Sequence, residues 1–346
     1  MIFHQIATER GCQSYFVACE QSCTAVIIDP EETLIDRYLG LAAQEGVRIH
    51  YVLDTHTHAD HFSGTIEMAR ALGVPVIMHR NSPAPYVDLR VDDGEKIVLG
   101  KLSLNILHTP GHTADSMCVQ LQDRVFTGDT LLIGGCGRSD LPSGDPDQLY
   151  DSLFNKLLLL NPATQVYPGH IYNSRKSSTL AEEIADNPRL QLTAREDFVA
   201  QMRRLTLREP DHLSEALRTN LSGGKTVEQL IAAAARSVSF MSLEEVHRRI
   251  NTNDPGVLLL DVREKDAYDR GHIPGAIQIA RGQLELRVNE ALPDPTQRIV
   301  VYCEYGRIST LATATLREMG FTRAVALDKG MAQWLENGFP VATGGV

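Results

Sequence analysis

Cysteine is scarce in this chain of 346 residues: Cys12, Cys19, Cys23, Cys118, Cys136 and Cys303 are the whole set, and no two of them form a CxxC pair. Neither a disulfide framework nor a zinc ribbon is indicated, so most of these thiols read as small buried hydrophobes, with Cys136 and Cys303 set apart by their neighbours. Long apolar runs are missing too, which argues against a membrane span. The start Met1-Ile2-Phe3-His4-Gln5 lacks a basic region followed by an apolar stretch, so no signal peptide is expected and the chain is expected in the cytoplasm. Basic residues are outnumbered, 33 against 44 acidic, for a formal net charge of -11. Nucleic acid and anionic membrane surfaces would repel such a chain, which leaves small molecules as the expected partners.

What is present is an ordinary globular composition, 43% hydrophobic and 22% charged, in a chain longer than one core usually serves. Two domains are the expectation, 1–237 and 238–346. From Thr24 to about His170, apolar runs alternate with helical patterns, as in an α/β layered fold. A helical stretch is expected from Arg175 to Leu207, then the turn-rich Arg208-Glu209-Pro210-Asp211-His212 and a helix from Thr226 to Ala235. The pattern restarts near Val238, with a short strand at Ser239-Phe240-Met241, a helix capped by Ser242, and a buried strand from Val257 to Asp261.

Chemistry is densest in Thr55-His56-Thr57-His58-Ala59-Asp60-His61, just after the apolar run Tyr51-Val52-Leu53. Three imidazoles and a carboxylate packed so closely desolvate and repel one another unless a cation joins them. More ligand types end later strand-like runs: His112 after Thr109-Pro110-Gly111, Asp129 after Phe126-Thr127-Gly128, and His170 after Tyr167-Pro168-Gly169. One such histidine is more often a surface group than a ligand, but four sites in order carry weight.

On these residues the chain resembles the metallo-β-lactamase superfamily, whose HxHxDH marker is matched by His56, His58, Asp60 and His61. The resemblance covers residues 1 to about 235 and implies an αββα sandwich with a metal at the edge of two packed sheets. Two members fit: glyoxalase II, a thioester hydrolase with two metals, and persulfide dioxygenase, with one iron. All seven ligands of a two-metal site are present, so the ligand inventory leaves both open. The stretch Gly134-Gly135-Cys136-Gly137-Arg138-Ser139-Asp140, with His170-Ile171-Tyr172-Asn173 and Asn187-Pro188-Arg189-Leu190, looks like persulfide dioxygenase. That resemblance implies one Fe(II) per chain, held by His56, His112 and Asp129, with His58, Asp60, His61 and His170 in support or at a second metal. Two imidazoles and a carboxylate with open positions is the donor set of non-haem iron enzymes that activate oxygen. The implied substrates are glutathione persulfide and O2, the implied products sulfite and glutathione. Arg138 would meet a glutathione carboxylate and Tyr172 would lie near the bound sulfur; Cys136 could be a redox-sensitive thiol or packing.

The last third, from about residue 239, resembles rhodanese through Leu260-Asp261-Val262-Arg263, Gly271-His272-Ile273-Pro274-Gly275-Ala276 and Asp328-Lys329-Gly330-Met331 to Trp334. A parallel sheet flanked by helices is implied, with thiosulfate and glutathione as sulfur donor and acceptor. Cys303, at the end of the strand Arg298-Ile299-Val300-Val301-Tyr302, would be the nucleophile, its thiolate and persulfide stabilised by loop N–H groups and a helix start near Ser309. The loop departs from the family: Arg307 stands one place early, Ile308 takes the last place and Glu304 adds an acid. Arg307 is a candidate substrate contact; Asp261 and Arg263 read as structural partners of the loop. The fusion suggests that the persulfide made by one site feeds the other. The sequence leaves the oligomeric state open, a homo-oligomer included.

Overall fold

The computed structural model describes residues 1–172, 175–205, 207–208, 213–252, 256–292 and 294–344. Asn173 and the turn residues 209–212 lie outside them. The chain forms two compact units, Met1–Gly224 and Lys225–Val346. No helix among the described residues is long and apolar enough to cross a membrane.

The first unit is built on two six-stranded sheets. Alternation along the strands assigns each side chain to a layer. In the strands Gln13–Cys19 and Thr24–Ile28, Tyr15, Val17, Val26 and Ile28 face inward, where they meet Leu104, Ile106, Val119 and Phe126 of the second sheet. Their neighbours Phe16, Ala18, Ala25 and Ile27 face outward onto Tyr38 and Ala42 of the helix Ile35–Gln44 and Met68 of the helix Thr65–Leu72. On the far side, Cys118, Val125 and Val166 pack against Leu149 and Leu153 of the helix Pro146–Phe154 and Phe198 of the helix Arg195–Arg204. Helix, sheet, sheet, helix is the expected αββα sandwich.

The single helical stretch expected from Arg175 to Leu207 is two helices, Leu180–Asp186 and Arg195–Arg204, after a short strand Ser178–Thr179. The break falls at Asn187-Pro188: Asn187 is extended, with ψ 116°, as a residue before proline tends to be.

The second unit is a five-stranded sheet in the order Phe240–Met241, Ala324–Leu327, Arg298–Tyr302, Val257–Asp261, Ile277–Gln278. Every pairing is parallel, and both faces are covered, as such sheets require. Leu260, Ile299 and Val301 pack on Leu284, Val288, Ala312 and Leu316, while Leu259, Val300 and Tyr302 pack on Val246, Tyr268 and Trp334. The helix Val227–Ser237, placed by the sequence reading in the first domain, lies within this second unit. There Arg317 Nη1 donates to Ser237 O at 3.0 Å, and Arg307 pairs with Glu228.

Candidate metal centre and cysteine loop

Each ligand-bearing loop of the first unit begins where a strand stops. Asp54 to His61 follows Arg48–Leu53, His112 follows Leu102–His108, Asp129 follows Arg124–Gly128, and His170 follows Gln165–Pro168. The Asp129 and His56 loops touch closely at Gly128, whose φ is +46° and where an added Cβ would lie 2.5 Å from Thr55 Oγ1. A side chain there would push the two loops apart.

His56, His112 and Asp129, all buried, offer ligand atoms that lie within 4.8 Å of one another. Their hydrogen bonds leave the right lone pairs bare. Thr55 Oγ1 donates to Asp29 Oδ2 at 2.8 Å, so it can only accept from His56 Nδ1 at 3.0 Å. The hydrogen of His56 therefore sits on Nδ1, and Nε2 is buried without a partner. His112 Nδ1 donates to the carbonyl of Arg138 at 2.7 Å, which likewise frees its Nε2, 3.6 Å from Asp129 Oδ2. Burial, with His58 and His112 nearby, pushes the His56 pKa well down and keeps the ring neutral. Burial would raise Asp129, but the imidazoles of His170, His112 and His56 hold it well below the usual carboxylate range. Two imidazoles whose Nδ1 atoms are held from behind, and an ionised carboxylate, fit a divalent transition metal.

The supporting histidines are arranged differently. His170 sits between two carboxylates, its Nδ1 2.7 Å from Asp129 Oδ1 and its Nε2 2.7 Å from Asp60 Oδ2, so both ring nitrogens donate. Although burial opposes it, these carboxylates raise the His170 pKa well above the ordinary value. His58 Nε2 donates to Asp29 Oδ1 at 3.2 Å and lies 3.8 Å from Asp54 Oδ1, all three side chains being buried. His61 Nδ1 faces Asp60 Oδ1 at 3.4 Å.

Several residues here escaped the sequence reading. Asp29 anchors Thr55 and His58 together, and Asp115 accepts from Thr57 N, Thr57 Oγ1 and Thr113 Oγ1, which ties the His56 loop to the His112 loop. Cys12, expected to be mere packing, instead bridges to His170 and groups with Asp60, His61 and His170. Burial opposes its ionisation, but bonding to His170 and His61 outweighs this and brings the thiol pKa to about 6. The only sequence signal for Asp29 is an acid ending the apolar run Ala25 to Ile28.

A cavity of about 400 Å³ opens on Asp60, His112, Asp129 and His170, walled by Leu132, Cys136, Arg138 and Tyr172. Arg138 holds Asp140 through two bonds of 2.6 and 2.8 Å and the carbonyl of Arg208 at 2.8 Å. Tyr172, 77% exposed, stacks on His170 with the rings 5.7 Å apart. Cys136 lines the wall, and burial pushes its thiol up to about 12, the opposite of a reactive cysteine.

In the second unit Cys303 is buried directly after its strand, and the helix Arg307–Glu318 begins two residues sooner than expected. Its Sγ accepts from Ser309 N at 3.3 Å and donates to Ser309 Oγ at 3.4 Å, whose own hydrogen goes to Gly306 O at 3.0 Å. Arg263 is held by Asp261 and by Glu304, the latter at 2.9 Å, and Arg307 turns to Glu228.

Comparison with known proteins agrees with both units. The metallo-beta-lactamase superfamily model matches residues 7–170, and the rhodanese-like domain model matches 242–337. The mitochondrial persulfide dioxygenase ETHE1 of Bos taurus is 35% identical over 65% of this chain and 89% of its own length. A hydroxyacylglutathione hydrolase of Anaeromyxobacter dehalogenans is 34% identical over 69% of this chain and 89% of its own. The crystal structure of ETHE1 from Myxococcus xanthus superposes with TM-score 0.63 at 38% identity, over 65% of this chain and all of that one. A metallo-beta-lactamase structure from Staphylococcus aureus covers 95% of this chain and 98% of its own, with TM-score 0.61 and 25% identity. The chain therefore belongs to the metallo-beta-lactamase superfamily, with persulfide dioxygenases homologous to its N-terminal part and a rhodanese-like domain behind it.

Proposed function

We propose that the first unit oxidises glutathione persulfide with O2 and water to sulfite and glutathione, using one Fe(II) per chain held by His56, His112 and Asp129. The second unit, in this reading, moves sulfane sulfur between thiosulfate and glutathione through a Cys303 persulfide. The observation that carries it is the buried triad whose two imidazoles both keep a bare Nε2. An Fe(II) bound there supplies the one-electron chemistry that lets O2 react with a sulfur donor.

The chain's own residues do the rest. Asp29 through Thr55, and the Arg138 carbonyl, lock the ligand rings. His170 shares its protons between Asp129 and Asp60, which leaves Asp129 Oδ2 for the metal. The buried His58 and the partly buried Asp60 and His61 stand beside the triad. Arg138 and Tyr172 stand at the cavity wall where glutathione's carboxylate and sulfur would lie, with Arg138 already oriented by Asp140. On the second unit, Ser309 N–H stabilises the Cys303 thiolate, and Arg307 stands at the helix start, where it would meet an anionic substrate only on leaving Glu228. Six unpaired cysteines suit the cytoplasm.

The hydrolase among the relatives favours a second reading, a two-metal glutathione thioesterase with a non-catalytic rhodanese-like module. Asp60, His61 and His170, grouped with Cys12, would hold the second ion that this reading requires. Iron-loaded protein should consume one O2 per glutathione persulfide and release sulfite. Two metals per chain, cleavage of S-lactoylglutathione and no oxygen uptake would decide for the thioesterase.

A further inference from the structure

The Cys303 loop carries an acid immediately after its nucleophile, and the surrounding ion pairs show what that acid does. Arg263 is nearly buried, with 9% of its side chain exposed, and both ends of its guanidinium are paired with carboxylates. Nε and Nη2 donate to the buried carboxylate of Asp261, Nη2 also to Gly271 O at 2.7 Å, and Nη1 to Glu304 at 2.9 Å. Arg307 points its guanidinium at Glu228. Lys329 also comes near the loop, exposed beside the exposed Asp328, and a hydrated lysine is a weaker oxyanion clamp than a guanidinium fork. Between these charges the Cys303 loop also exposes apolar surface: Tyr305 is 72% and Ile308 50% exposed.

Thiosulfate brings a sulfonate with two negative charges to the cysteine, and a sulfonate is recognised by cations and N–H donors. Here the Arg263 guanidinium is paired with two carboxylates, and one of them is Glu304, the residue that follows Cys303. A thiol persulfide brings only sulfur next to the sulfane atom, which an apolar rim accepts. We propose that Glu304 is a specificity-determining residue: by pairing with Arg263 it directs Cys303 to thiol-bound sulfane sulfur in preference to thiosulfate. The step is the same for both donors. The Cys303 thiolate forms a bond to the outer sulfur, the donor's S–S bond breaks, and its electron pair leaves with glutathione thiolate or with sulfite. No net oxidation occurs, and the cysteine is left as its persulfide.

This inference rests on the reading of Cys303 as nucleophile, and the test separates the two. Sulfur transfer to cyanide is followed in the full chain with thiosulfate, with benzenethiosulfonate, a singly charged analogue of the same bond, and with glutathione persulfide. Cys303→Ser tests the nucleophile; persistence of transfer in that variant brings down the reading itself. Glu304→Gln keeps the shape and one hydrogen bond to Arg263 while removing the charge. Its kcat/KM for thiosulfate should rise about tenfold, for benzenethiosulfonate about threefold, and for glutathione persulfide, whose carboxylates lie away from the reacting sulfur, by no more than that, since the relief scales with the charge brought to the loop. A parallel rise for all donors, or no rise, overturns the proposal. Unmodified protein supplies a second measurement: added salt should speed thiosulfate relative to benzenethiosulfonate by screening repulsion, whereas a slowing would show an attractive cationic site and overturn it.

Discussion

The two units build their candidate sites from different materials. The metal centre is assembled from side chains on four strand-end loops, and each ligand ring is fixed by a long-range bond such as Thr55 to Asp29 or His112 to Arg138. The Cys303 loop is continuous chain: strand end, turn and helix start, with Ser309 N–H and Cys303 Sγ six residues apart. A site of converging side chains has many ways to fail through one substitution. A site of backbone has few, and they lie at the nucleophile and at the turns.

The largest effects should therefore fall on separate activities. Asp129→Ala removes a ligand and the acceptor for His170 at once, and is expected to abolish both bound iron and oxygen uptake while leaving sulfur transfer to cyanide intact. Cys303→Ser should do the reverse. Metal analysis with oxygen uptake and cyanide-dependent transfer on the same preparations reads both; loss of both activities in either variant would break the division of labour.

How far the sequence could be read follows the same contrast. The candidate cluster could be read because His56, His58, Asp60 and His61 fall within one short loop, and His112, Asp129 and His170 each end an apolar run. Cys303 was legible because strand, loop and helix follow one another in the chain. Asp29 and Asp115 were not, because they act on Thr55 and Thr57 from 26 and 58 residues away, and nothing local marks an acid that braces a distant loop. Cys12 was invisible for that reason, its partners Asp60 and His170 lying far along the chain. The pairing of Glu304 with Arg263, 41 residues apart, turned an odd loop residue into part of a network.

Smaller changes sharpen the contrast. Thr55→Val keeps the shape but cuts the link from Asp29 to the His56 tautomer, and iron affinity should fall roughly 10- to 100-fold by competition with a chelator. In the second unit the equivalent weak point is a glycine. Gly330 has φ +83°, and an added Cβ would sit 2.5 Å from Cys303 O and 2.8 Å from Glu304 O. Gly330→Ala should destabilise the second unit by about 3 kcal/mol. Trp334, the chain's one tryptophan, reports this unit's unfolding. Oxygen uptake should be unchanged at temperatures where the first unit stays folded.

The smallest effect expected is a pH dependence confined to the first unit. Burial, helped by the His108 ring stacked 3.8 Å away, holds the His79 pKa down at about 4. Asp92, 3.7 Å from Nε2, opposes the shift only in part. In the unfolded chain the same ring titrates near 6.5, so the unfolded state takes up its proton first as pH falls. His79 thus contributes its full stability above about pH 6.5, and that contribution is lost progressively between about 6.5 and 4. At pH 5 the loss should be on the order of 1 to 2 kcal/mol relative to pH 7. His79→Gln, which cannot ionise, should flatten this part of the stability profile in urea titrations followed by circular dichroism, and leave the Trp334 fluorescence transition where it was. A His79→Gln protein that keeps the wild-type slope would show that the ring is not the group that makes the first unit acid-sensitive.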